Sequence, residues 1–170
     1  MDGTCSVMEE CSSALTTSTS DCPSPEINSV EPESGPPEGG TRISITGTNL
    51  GAEFSDIQSV ILELRGNSNE STPCELIMED YVVGRQIGCE TEDFSTTGTY
   101  IVVVEVQRDD DSATAEGTFR VEQPVVSEVF PHFGPKSGGV EVAVRGSGLN
   151  IGNTENTQVM LNGVNCSVIM

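Results

Sequence analysis

The chain has 170 residues, 35% of them hydrophobic and none of them Trp, which leaves room for one small domain with a Val/Ile core and part of another. Seven Lys+Arg stand against 27 Asp+Glu, a net charge of −20, so nucleic acid and anionic membrane surfaces are poor partners on electrostatic grounds. Six Cys without a CxxC spacing suit neither a redox nor a zinc site. They read as a disulfide framework, which belongs outside the cell.

Residues 1–23 hold Cys5, Cys11 and Cys22 and a Ser/Thr tract at 12–20 with no hydrophobic period, which reads as loop. Met1-Asp2-Gly3-Thr4-Cys5 has neither a basic n-region nor an apolar h-region, so it is not a signal peptide. No run reaches the length of a membrane span. The expectation is a fragment of a longer secreted or membrane-anchored chain.

Residues 24–122 read as a complete unit of short strands separated by turn signals. A strand at 26–30 closes at Pro32, and residues 33–40 are all turn. The strand at 42–46 points Ile43 and Ile45 inward and Arg42, Ser44 and Thr46 outward. Strands at 60–64, 74–78, 86–90, 99–107 and 117–121 follow, giving seven or eight in all. The most hydrophobic, 99–107, is expected to be central, with Tyr100, Val102, Val104 and Val106 on one face and Ile101 and Val103 on the other. Many short alternating strands and no helix-period segment predict an all-β, immunoglobulin-like β-sandwich, without the antibody-type Cys…Trp…Cys core.

The stretch 27–51 returns, rewritten, at 126–152. Ile27 matches Val126, Pro32 matches Pro131, Gly35-Pro36 matches Gly134-Pro135, Gly39-Gly40 matches Gly138-Gly139, Gly47 matches Gly146 and Leu50 matches Leu149, each pair offset by 99. The chain is therefore a tandem array of one domain type. Residues 124–170 are expected to be a truncated second unit. Val140, Val142 and Val144 face inward, Glu141 and Arg145 face outward, and the strands matching 86–90, 99–107 and 117–121 are missing. Val121-Glu122-Gln123-Pro124-Val125 is a short junction stiffened by Pro124, so the units are expected to stack as a semi-rigid rod.

Little in the chain suggests chemistry. His132 is the one His, set in a turn with no nucleophile–base pair to join. Gly39-Gly40 and Gly138-Gly139 precede strands rather than a helix, so they are turn glycines and not a phosphate loop. Asp109-Asp110-Asp111 reads as a solvated hairpin tip rather than a Ca²⁺ site. No cofactor and no metal is expected. Asn69-Glu70-Ser71, in a polar loop with Gly66-Asn67-Ser68, and Asn165-Cys166-Ser167 are acceptors for N-linked glycan. A disulfide at Cys166 would compete with the second.

The pattern V-x-P-x-x-G-P-x-x-G-G-T-x-I-x-I-x-G-x-N-L-G, from Val30 to Gly51, resembles the IPT/TIG domain. Cys22-Pro23 before the first strand, Tyr81 followed by Ile87-Gly88-Cys89-Glu90, and Gly146-Ser147-Gly148-Leu149-Asn150-Ile151-Gly152 resemble plexin ectodomains. Plexins are semaphorin receptors whose stalks combine cysteine-rich PSI modules with IPT domains. Residues 1–23 resemble the tail of a PSI module, apart from the Trp usual before its last Cys. The resemblance implies that Cys5, Cys11 and Cys22 pair with Cys residues further upstream. It supports a Cys74–Cys89 disulfide, which a hairpin turning at 81–84 can bring together.

What the resemblance implies for function is a non-catalytic extracellular stalk segment. Semaphorin would bind a head domain outside these residues, and adjacent PSI and IPT domains would be the direct partners, without membrane contact. The alternative is an IPT-array segment of another surface receptor, of hepatocyte-growth-factor-receptor or ciliary type. A DNA-binding TIG domain of Rel type conflicts with the net charge. An accessory domain of a bacterial carbohydrate enzyme seldom carries this Cys arrangement.

Overall fold

The computed structural model describes residues 23–108, 111–152 and 157–169. Eight strands build the first unit: β1 (Glu26–Glu31), β2 (Ser34–Gly35), β3 (Arg42–Thr48), β4 (Ile57–Leu64), β5 (Asn67–Val82), β6 (Gln86–Thr91), β7 (Gly98–Arg108) and β8 (Asp111–Val121). One 3-10 turn, Phe54–Asp56, precedes β4. Hydrogen bonding orders the strands β1-β3-β6-β5-β4-β7-β8-β2.

The sequence folds into two layers because β5 serves both. Its first half pairs with β4, Thr72 opposite Leu62 and Pro73 opposite Ile61. Its second half pairs with β6, Cys74 opposite Thr91 and Leu76 opposite Cys89. The strand changes sheets at Pro73-Cys74, where a residue without an N–H can sit between two ladders. An immunoglobulin-like β-sandwich results, and its core lies between the layers. From one side come Val30, Ile43, Ile45, Ile87 and Cys89; from the other come Val60, Leu62, Tyr100, Val102, Val104, Phe119 and Val121, all buried.

Tyr100 anchors this core. Fully buried at the start of β7, it packs edge-on against Phe94 with ring centroids 4.9 Å apart. Its hydroxyl donates to the Thr96 carbonyl at 2.9 Å. This is the arrangement of a tyrosine corner, in which a strand-start Tyr ties back to backbone a few residues upstream. β1, at one end of the strand order, also meets β8, which stands next to the other end. A β-carbon at Gly117 would lie 2.9 Å from Val30 Cγ2 and 3.0 Å from Ile27 Cγ2, so glycine allows β1 to close over β8.

Several expected boundaries move. Residues 33–40 are not all turn, because β2 pairs in parallel with β8, Ser34 opposite Arg120 and Gly35 opposite Val121. Residues 67–69 are strand rather than loop, and the β5–β6 turn lies at 83–85 rather than 81–84. The polar run from Asn67 to Ser71 gains its strand state from the β4 ladder, with Ser71 opposite Glu63, so tertiary pairing overrides low propensity. Likewise β8 begins at Asp111, its polar start zipped to β7 from Arg108 onward. Gly39 and Gly40 take φ of +71° and +67°, and Gly138 and Gly139 take +75° and +79°; in both units these are turn glycines.

The second unit repeats the first in register. In β9 (Val125–Phe130) and β10 (Ala143–Ser147), Val125 pairs with Ser147, Val126 with Gly146, Glu128 with Arg145 and Val129 with Val144. In the first unit Glu26 pairs with Thr48, Ile27 with Gly47, Ser29 with Thr46 and Val30 with Ile45. Both members of each pair shift by 99, and the bulge falls at the same step. β11 (Val159–Leu161) and β12 (Val164–Cys166) form a second hairpin. It turns on Asn162 and Gly163 at φ +48° and +81°, as a two-residue hairpin with positive φ at both positions requires. None of the described residues in 122–169 is buried. Val140 lies outside β10 and is 41% exposed, while Val142 and Val144 are half-covered. The inward face expected for these three thus meets no opposing layer.

Candidate functional site

Among the described residues no group of His, Cys, Asp and Glu is arranged to hold a metal ion, and no helix is long and apolar enough to cross a membrane. His132 is exposed beside Phe130, with ring centroids 6.2 Å apart. Asp109 and Asp110 lie outside the described residues, as do Cys5, Cys11 and Cys22. The features with defined geometry are a disulfide, an arginine clamp, two Asn-x-Ser motifs and the seam between the units.

Cys74 and Cys89 are joined in a disulfide with Cα atoms 5.5 Å apart. Both are buried. Cys74 stands opposite Thr91 and Cys89 opposite Leu76, so the bridge runs diagonally between neighbouring strands. It pins β5 to β6 at the point where β5 leaves the β4 ladder. Cys166 in β12 is a free thiol.

On the outside of the same sheet Arg42 clamps Asp80. The guanidinium donates from Nε to Asp80 Oδ2 at 2.6 Å and from Nη2 to Oδ1 at 2.7 Å. This two-pronged geometry matches a planar cation to a carboxylate. The hydrogen bond from Arg42 holds the Asp80 carboxyl below its ordinary range. Sequence reading had placed Arg42 outward but offered no partner. Nearby, the Tyr81 hydroxyl donates to the Gly51 carbonyl at 2.8 Å and its ring meets Phe54 edge-on. Burial pushes the Tyr81 phenol up.

Asn69 lies exposed near the start of β5 rather than in a loop, one turn beyond Arg65-Gly66. Asn165 is exposed in β12. Among the described residues, no element covers either one.

The seam is short. Glu122-Gln123-Pro124 separate β8 from β9. The Glu122 N–H donates to the Gly35 carbonyl at 3.0 Å, and the Gly152 N–H of the second unit donates to the Ser34 carbonyl at 2.9 Å. The sequence points to a stiff junction through Pro124 but gives Ser34 and Gly152 no part in it.

These observations define the class first: an immunoglobulin-like sandwich pinned by a disulfide, closely joined to a second copy of its opening strand pair. The family model described as IPT/TIG domain matches residues 25–121 and again 124–169, and the chain belongs to that family. Within it the segment is of plexin type. Human Plexin-B3 is 34% identical over 150 residues, covering 87% of this chain and 7% of the relative. Human Plexin-B1 is 31% identical over 165 residues, covering 97% of this chain and 7% of the relative. A solved structure of the Plexin A4 full extracellular region, domains 1 to 8, superposes with a TM-score of 0.66 at 31% identity, covering 87% of this chain and 14% of that one. The chain spans less than a tenth of the length of these curated relatives.

Proposed function

We propose that this chain is a non-catalytic extracellular stalk segment of a plexin-like semaphorin receptor, a spacer that sets the distance and angle between a ligand-binding head and the membrane. The observation that carries this reading is the seam. Two units in identical register are linked by three residues and a hydrogen bond from one unit to the other. A stiff tandem of this kind transmits orientation, whereas a long polar linker would not. The acidic surface keeps such a stalk off anionic lipid and nucleic acid. Semaphorin is engaged elsewhere in the parent receptor, and the direct neighbours of this segment are PSI and IPT domains. Asn69 and Asn165 carry N-linked glycan in the secretory pathway, which further discourages sideways association; conversion of each to Gln should remove one glycan mass apiece.

A chimaeric receptor tests the reading. Residues 23–170 replace the corresponding stretch of human Plexin-B3, and semaphorin binding and the cellular response are measured. Retained binding with a retained response is expected. Lost binding would place ligand recognition within the segment and defeat the spacer reading.

A further inference from the structure

The two units receive the chain differently. At the start of the first unit Asn49 takes φ +58°, and its side-chain amide donates from Nδ2 to the Ser24 carbonyl at 3.1 Å. The offset of 99 carries Asn49 to Gly148, at φ +65°, and Ser24 to Gln123. Gly148 has no side chain with which to repeat the tie. The second unit instead reaches back to the first through Gly152.

The target of that reach is specific. The Glu33 and Gly35 carbonyls that flank Ser34 accept from the N–H groups of Arg120 and Glu122, at 2.9 and 3.0 Å. Carbonyls alternate in direction along an extended strand, so the Ser34 carbonyl points away from β8. It is the acceptor that a two-residue edge strand would otherwise leave open, and Gly152 covers it. The reach goes with a change of sequence in this loop. The first copy reads Leu50-Gly51, the second Leu149-Asn150-Ile151-Gly152, so the loop that crosses to the neighbouring unit carries its glycine two positions further along. Glycine is also needed at its tip. Gly152 takes φ +64°, and a β-carbon there would lie 3.1 Å from Thr41 Oγ1 and 3.2 Å from Pro36 Cδ of the first unit.

We infer that residues 148–152 are the joint that fixes the angle between the units. Its seat is the turn from Ser34 to Thr41, and Gly148 and Gly152 are the positioning residues. The biological sense of the joint rests on the spacer reading, whereas its physical existence does not.

Amide exchange and ¹⁵N relaxation on the whole labelled chain test the joint. The Gly152 amide should exchange about tenfold more slowly than an unprotected amide, as one intramolecular hydrogen bond allows. Second-unit amides should share the correlation time of the first unit. Gly152→Val should release the second unit to tumble faster while the first stays unchanged. Gly148→Asn keeps a conformation that Asn tolerates and adds the amide that ties Asn49 to Ser24; it should raise protection at Gly152 several-fold. An unprotected Gly152 amide in the unaltered chain, or a Gly148→Asn chain with no change in protection, overturns the inference. A protected Gly152 with a silent chimaeric receptor would defeat the spacer reading alone.

Discussion

Removing one oxygen from the core should be visible in the melting temperature. Tyr100 is fully buried, and its hydroxyl reaches the Thr96 carbonyl at 2.9 Å. Tyr100→Phe keeps the ring, and with it the contact to Phe94, while stranding that carbonyl. The loss of a neutral buried hydrogen bond costs about 1 kcal/mol. For a domain of this size that corresponds to a fall of roughly 4–8 °C in Tm. Tyr100→Ala removes the ring as well and should cost about 3–5 kcal/mol, the range for emptying an aromatic core site. Thr96→Val is the control. The acceptor is the backbone carbonyl, so the corner bond survives; what is lost is the surface bond from Thr96 Oγ1 to Glu70 and the long 3.4 Å contact between Thr96 Oγ1 and the Tyr100 hydroxyl, and the change should stay within about 0.5 kcal/mol. Thermal and urea unfolding followed by far-UV circular dichroism give the three values. A Tyr100→Phe chain within about 0.3 kcal/mol of the original, or one no less stable than Thr96→Val, would refute the corner as an anchor.

Replacing both Cys74 and Cys89 by Ser opens a loop of sequence separation 15 and should cost about 3 kcal/mol in the chain-entropy description, read as a lower urea midpoint. Asp80 contributes stability above the ordinary carboxylate range, where it is ionised both folded and unfolded; that contribution is lost as pH falls through its depressed folded value. Arg42→Gln should therefore reduce stability near neutral pH and narrow its difference from the unaltered chain in acid, which melts taken down to about pH 2 will show. Residues 124–170 made alone should give no cooperative transition, because none of the described residues there is buried and so short a piece hides too little surface; a sharp melt would contradict this.

Strands with alternating Val and Ile were readable before the structure. β3 and β7 bury the residues that their period of two selects, Ile43 and Ile45, then Tyr100, Val102, Val104 and Val106. The polar start of β5 and the first half of β8 were not readable, since Asn67 and Asp111 become strand only through partners on β4 and β7. The β11–β12 hairpin went unnoticed although Asn162-Gly163 is a strong local turn signal. Arg42 and Asp80 are 38 residues apart, and no local pattern pairs them. The Gly152–Ser34 bond is longer-range still, yet the glycine displaced by two positions after Leu149 was a sign in the sequence that this loop differs from its first copy.

The central claim is that the two units form one stiff body. Residual dipolar couplings measured on the whole chain test it most directly, with backbone amides of β3, β6 and β7 reporting on the first unit and those of β9 and β10 on the second. A single alignment tensor should fit both sets, with Glu128 and Arg145 oriented relative to the first unit as in the structure. Two tensors of different magnitude, the second strongly reduced, would mean that the units move independently and that the segment cannot hold an angle.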